Sequence, residues 1–183
     1  PVYQKTVGWC QKQGKAGSDT ELNLAKNRIG PASEYHAVKF EEIKNLKSGE
    51  DAAERDRDNI EPEKKKAISK YEGIPIMLEG YFMYVMAHGK LSGGAKMGAE
   101  NCNCKKTKFE HVDYHIWMVK NKNDKMREAV VVELTPRVRA IHGNRWMNRK
   151  HIQEDLDFLA AQKVKVRVYG WLFFDGEHAE QLP

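Results

Sequence analysis

From Ile74 the run IPIMLEGYFMYVMAHGK (74–90) is dense in β-branched and aromatic side chains and carries Gly80 near its middle. A glycine inside a long strand leaves room for a sharp bend, which a small barrel needs in order to curl on itself. The chain beyond this run keeps to strand chemistry. A loop rich in Gly, Asn and Lys (LSGGAKMGAENCNCKKTKFE, 91–110) leads to a second strand, HVDYHIWMV (111–119). The polar turn NKNDKMRE (121–128) and a third strand, AVVVELT (129–135), read as the rest of a hairpin. Pro136 ends pairing, and 137–148 is basic and irregular. Residues 149–162 (RKHIQEDLDFLAAQ) place Ile152, Leu156 and Leu159 on one helical face. VKVRVYGWLFFD (164–175) is the fourth strand, with Gly170 inside it.

Three strands, a helix and a fourth strand are the order of the five-stranded OB barrel. The expected class is therefore mainly β with helices (α+β): an OB-like small barrel, a helix between strands three and four, and an N-terminal helical and extended arm. The expected division is an arm with helices over 1–73 and the barrel over 74–183. In the arm, Asp19–Arg28 is a short helix capped by Ser18 or Asp19, and 38–47 sets Val38, Phe40, Ile43 and Leu46 on one face. Residues 48–60 are charged and expected as an exposed loop. Pro62 suits a first helical position and Gly73 a stop, with Ala67, Ile68 and Tyr71 as the apolar stripe between them. The sequence ends at Pro183, eight residues past Asp175, so the closing strand is expected to be absent. Either that strand is disordered or removed, or the arm or a neighbouring chain fills its place; a neighbouring chain would make the protein a homo-oligomer or an interaction protein completed by a partner strand.

Several runs, in this order, resemble an uncharacterised family of bacterial proteins with a predicted OB-like barrel: LNLAKNR (22–28), EGIPIMLEGYF (72–82), Cys102-Asn103-Cys104, DYHIWMV (113–119), VVVELTPRVR (130–139) and VRVYGWLFFDGEH (166–178). The resemblance implies the OB-like fold and brings no activity with it. It also implies a closing strand containing Trp-Glu-Ile-His after the last run, which this sequence lacks.

Net charge is +5 and the isoelectric point about 9.0, a balance that favours anionic partners such as nucleic acid. Apolar runs fall well short of the roughly 20 residues of a membrane helix, and no signal-peptide pattern opens the chain. A cytoplasmic location is expected, with secretion left open because the sequence starts at Pro1 rather than Met. Three cysteines are an odd count and argue against a disulfide framework. Cys102 and Cys104 stand too close for a relaxed bridge with each other. A reducing compartment is the simplest expectation, the exception being Cys10 paired with one of them.

Three constellations could carry chemistry. Cys102, Cys104, His111, Asp113 and His115 are candidate ligands for a divalent metal such as zinc. His115, Glu133, Asp175 and His178 are candidate catalytic residues: Asp113 and His115 share one face of a strand, and Glu133 lies in an apolar run where a bare carboxylate is costly. Around an ion they suit a phosphodiesterase-like hydrolase. Arg137, Arg139, Arg145, Trp146, Lys105 and Lys106 are candidate ligand-binding residues, a positive groove with an aromatic platform for single strands. A thiol at Cys102 or Cys104 beside Lys105 and Lys106 is a candidate nucleophile. The glycine-rich loop lacks the spacing of a phosphate-binding P-loop, and no nucleophile elbow is present. The leading expectation is a binding module for an anionic ligand, with metal-dependent hydrolysis as the alternative and enzymatic activity left open.

Overall fold

The computed structural model describes residues 10–46, 59–87, 100–106, 108–141, 143 and 145–175. His178, Glu177, the glycine-rich stretch 91–98, most of the charged loop and the expected position of a closing strand lie outside them. The described residues form a mixed α+β fold with a five-stranded sheet. The helices are α1 (Thr20–Lys26), α2 (Phe40–Lys44), α3 (Pro62–Ile68), α4 (Pro136–Ile141) and α5 (Arg149–Ala161). The strands are β1 (His36–Ala37), β2 (Pro75–Ala87), β3 (Tyr114–Val119), β4 (Val130–Leu134) and β5 (Lys165–Trp171). None of these helices is long and apolar enough to cross a membrane.

β2 organises the sheet. Its first half pairs antiparallel with β5, from Pro75↔Trp171 to Tyr81↔Lys165. Its second half pairs antiparallel with β3, from Tyr81↔Val119 to Ala87↔Tyr114, with a register shift between Phe82 and Tyr84. β4 extends the sheet beyond β3, and the short β1 runs parallel to β2 at Ile76 and Met77. Among the described residues the sheet does not close, so the expected barrel is met only as an open, mixed sheet. Gly80 marks the tightest approach along β2. A Cβ there would run into the Val119 carbonyl oxygen and sit 2.9 Å from the Phe40 ring of α2, so the glycine supplies the room that its place inside a long strand implies.

One face of the sheet holds the core. Leu78, Phe82, Tyr114, Ile116 and Met118 meet Phe40 of α2 and Ile152 and Leu156 of α5, with Val166 and Val168 packed alongside. The α5 stripe arises as its spacing requires, and Asn148 caps the helix by accepting from Lys150 N at 3.0 Å. The other face is covered too, so every residue of β3 is buried. Trp117, Val119 and Ala129 form a small second cluster there, and α1 with the segment before it lies over the end that carries His115. Asp19 caps α1 by accepting from Leu22 N at 2.8 Å.

Two expectations change. Residues 137–148 are not wholly irregular: Thr135 Oγ1 accepts from Val138 N at 3.4 Å and starts α4 at Pro136, a position where the missing N–H costs nothing. The cysteines are not all reduced: Cys10 and Cys104 form a disulfide, the pairing held as the exception, and Cys102 is a buried thiol.

Candidate functional site: a buried acidic cluster

Among the described residues, the covered end of β3 and β4 holds most of the buried polar chemistry. The register His115↔Glu133 puts these two side chains together on the face away from the core, with His115 Nε2 3.5 Å from Glu133 Oε1. α1 delivers Lys26, whose helical spacing from Leu22 turns it inward with the apolar stripe. Its ammonium lies 2.8 Å from Glu100 Oε2, 2.7 Å from Asp175 Oδ2 and 3.4 Å from Glu133 Oε1, with the side chain only 2% exposed. Glu100 reaches the other way too, its Oε1 being 3.3 Å from His115 Nε2.

The loop before β3 adds the remaining members. A single 3₁₀ turn over Asn101–Asn103 ends in left-handed backbone at Cys104 (φ 55°), and this turns Cys102 inward. The Cys102 sulfur lies 3.3 Å from Glu100 Oε2 and 3.5 Å from Asp113 Oδ2, and its one proton can serve only one of them. Asp113 is fully buried, and its Oδ1 has no hydrogen-bond partner among the described residues. One donor atom each from Glu100, Cys102 and Asp113 lie within 4.8 Å of one another.

Burial and charge divide the cluster into two parts. Burial works to neutralise Lys26, but Glu133, Glu100 and Asp175 outweigh it and hold the ammonium well above its ordinary pKa. Burial likewise works to protonate Glu100, yet His115 and Lys26 keep it ionised, well below the usual carboxylate range. Asp113 goes the opposite way: burial first, then the charges of Glu100 and Glu133, push it well up. Burial, Asp113 and Glu100 push the Cys102 thiol up as well. An ion-paired half therefore abuts a half whose acids are pushed toward their neutral forms.

The sequence candidates fall out unevenly across this geometry. Glu133 and Asp175 meet through Lys26, His115 joins them at Glu133, and Cys102 links Asp113 to Glu100. His111 is half-buried on its own 3₁₀ turn and does not join the donor group. Cys104 is spent in the disulfide, so it is neither a thiolate ligand nor a nucleophile. Cys102 has its pKa raised rather than lowered, the reverse of what nucleophilic use of Lys105 and Lys106 required.

The basic stretch is pulled apart. Arg137 is buried and donates to Asn27 Oδ1 at 2.7 Å and to the Cys10 and Gln11 carbonyls at 2.7 and 2.8 Å. Arg139, fully buried, donates to the Val112 and Phe109 carbonyls at 2.7 and 3.0 Å and lies over the Phe109 ring. Arg145 pairs with Asp155 at 2.5 Å, and Trp146 Nε1 donates to the same carboxylate at 3.3 Å. Lys105 is exposed and Lys106 half-buried on the cysteine loop. These groups pin the N-terminal segment and loops to the sheet and do not form one groove. Lys26, Glu100 and Asn27 were missed. Asn27 bridges the site's walls, donating to the Cys102 carbonyl at 2.9 Å while accepting from Arg137. Comparison with family models, with curated proteins and with solved structures finds no match.

Proposed function

We propose that the protein is a divalent-metal-binding module of OB-like architecture, with the ion held by Glu100, Cys102 and Asp113. The carrying observation is the convergence of two carboxylates and a thiol within 4.8 Å in a buried place. Five acidic groups, Glu100, Cys102, Asp113, Glu133 and Asp175, face one lysine and one histidine there. Such a surplus is costly in low dielectric unless protons or a second cation answer it. A divalent ion would replace the protons on Cys102 and Asp113. One sulfur with two oxygens is a donor set within the range zinc accepts, and His115 stands next to it as a further ligand. The acidic surplus also speaks against an anionic ligand at this end of the sheet's outer face.

The order of β2–β5, with α4 and α5 between β4 and β5, supports the OB reading. In that fold the outer face of the second and third strands, with the loop joining the first two, forms a ligand surface. Here that face supplies His115 and Glu133, and the loop supplies Glu100 and Cys102. The test is metal content of tag-free protein, followed by titration with zinc and with cobalt(II), whose thiolate charge-transfer band reports sulfur ligation. One ion per chain is expected, lost in Cys102→Ser and Asp113→Asn. A wild-type chain that takes up neither ion would remove the reading.

The contact between His115 and Glu133 favours a second reading, metal-dependent phosphodiester hydrolysis. A bound ion would supply Lewis acidity, His115 and Glu133 stand placed to move a proton, and Lys26 provides a fixed positive charge beside them. Burial counts against it, since Asp175 is the most open side chain of the ion-paired half at 13% exposure. Turnover of bis(p-nitrophenyl) phosphate by metal-loaded protein, lost in Glu133→Gln with metal retained, would establish it. Metal-loaded protein without turnover leaves the binding module alone.

A further inference from the structure

Away from the acidic cluster, the same outer face of the sheet changes character along β5. Val166 and Val168 go to the core, so the alternate residues Lys165, Arg167, Tyr169 and Trp171 stand outward in a row. Tyr169 is 56% exposed although it sits in the middle of a paired strand. Its ring is nonetheless fixed, meeting Tyr35 edge-on at 5.3 Å between centroids. Trp171 carries the Arg28 guanidinium 5.1 Å above its ring centre and donates its Nε1–H to the Gly30 carbonyl. Lys165 and Arg167 share a single carboxylate, Glu79, so this pair retains an excess positive charge.

Tyr169 is exposed and its neighbours Tyr35 and Trp171 are half-buried. An exposed ring braced by others loses little freedom when something stacks on it, and cations beside it attract a polyanion. Alternate positions on a strand lie about 6.7 Å apart, which leaves room for separate bases on neighbouring rings. We propose that Tyr35, Tyr169 and Trp171, with Arg28, Lys165 and Arg167, form a binding surface for single-stranded nucleic acid. It differs from the basic groove expected from the sequence, whose arginines are committed elsewhere, and it is independent of the metal site. An acidic peptide would answer the charges but has no use for the rings, so the rings decide between the two.

The test is fluorescence anisotropy of labelled oligothymidylate and oligouridylate with the full chain, across about 50 to 200 mM salt. Binding should weaken with salt, and Tyr169→Ala should weaken it about fivefold or more at fixed salt. Arg167→Ala should weaken it for both oligomers and flatten the salt dependence by about one unit of slope. Tyr169 is exposed, so its variant should keep the wild-type thermal midpoint, which the same samples can show. Arg145→Ala, in the loop before α5 where Arg145 pairs with Asp155, should bind as wild type. No binding near 10⁻⁴ M, roughly the weak end of non-specific affinity, would overturn the proposal. So would binding unaffected by Tyr169→Ala and matched by polyglutamate.

Discussion

Replacing Lys26 by Met keeps the length of a side chain that is 2% exposed but deletes the charge that three carboxylates face. The loss can be bounded in two ways. Removing one partner of a buried ion pair typically costs about 3–5 kcal/mol, because the other charge is left uncompensated. The variant can relieve this by taking a proton onto one carboxylate. For a group with an ordinary pKa of about 4.3, protonation at pH 7 costs about 3.7 kcal/mol. The two figures agree, so a loss of about 3–4 kcal/mol at pH 7 is expected. At pH 5 the same protonation costs only about 1 kcal/mol. The folded variant then binds more protons than its unfolded chain, so its stability falls as pH rises, and its deficit relative to wild type widens from pH 5 to pH 7. Urea denaturation monitored by circular dichroism at both pH values measures this. The double change Lys26→Met with Glu133→Gln should recover part of the loss. A loss under about 1 kcal/mol at pH 7 with an unchanged denaturant slope would refute the ion-paired arrangement, as would a double variant less stable than the single one.

Packing and covalent structure set four further outcomes. Cys104→Ser opens a cross-link spanning 94 residues and should cost up to about 4.7 kcal/mol by loop entropy; a denaturation midpoint insensitive to both this change and reductant would count against the bridge. Gly80→Ala forces a methyl group against the Val119 carbonyl and the Phe40 ring, so a loss of about 1–3 kcal/mol is expected from overpacking, read by thermal denaturation. Leu156→Ala empties a fully buried site between α5 and the sheet and should cost about 2–5 kcal/mol, whereas Phe158→Ala on the exposed side of that helix should stay within about 0.5 kcal/mol of wild type. Arg137→Lys cannot reproduce a planar fork between Asn27 and two carbonyls; faster amide exchange over residues 10–27 than in wild type is the expected signature.

Much of this architecture could be read from local pattern. The α5 stripe, the Asp19 cap, the need for a glycine at position 80 and the shared face of Asp113 and His115 all depend on short-range periodicity. The rest depends on meetings between distant segments. Lys26 occupies a helix position next to Leu22 and Ala25 where an apolar residue is usual, and that was its only signal. Glu100 gave none, because its role exists only once α1, the cysteine loop and β4 converge. Arg137 and Arg139 misled for a related reason. A run of arginines looks like a charged surface, but each is buried here by carbonyls from segments far away in the chain. β1 has two residues, too few for any period to show.

The bridge between Cys10 and Cys104 has a consequence for how the chain behaves when cut. Backbone cleavage anywhere between them leaves a single covalent molecule, which separates into fragments only after reduction. The ring so closed contains Lys26, Glu100 and Cys102, whereas Asp113, His115, Glu133 and Asp175 lie on the tail that leaves it. The acidic centre is thus assembled across a loop and its own exit strand. A nicked protein would run as intact on a non-reducing gel, and only adding thiol would reveal the break.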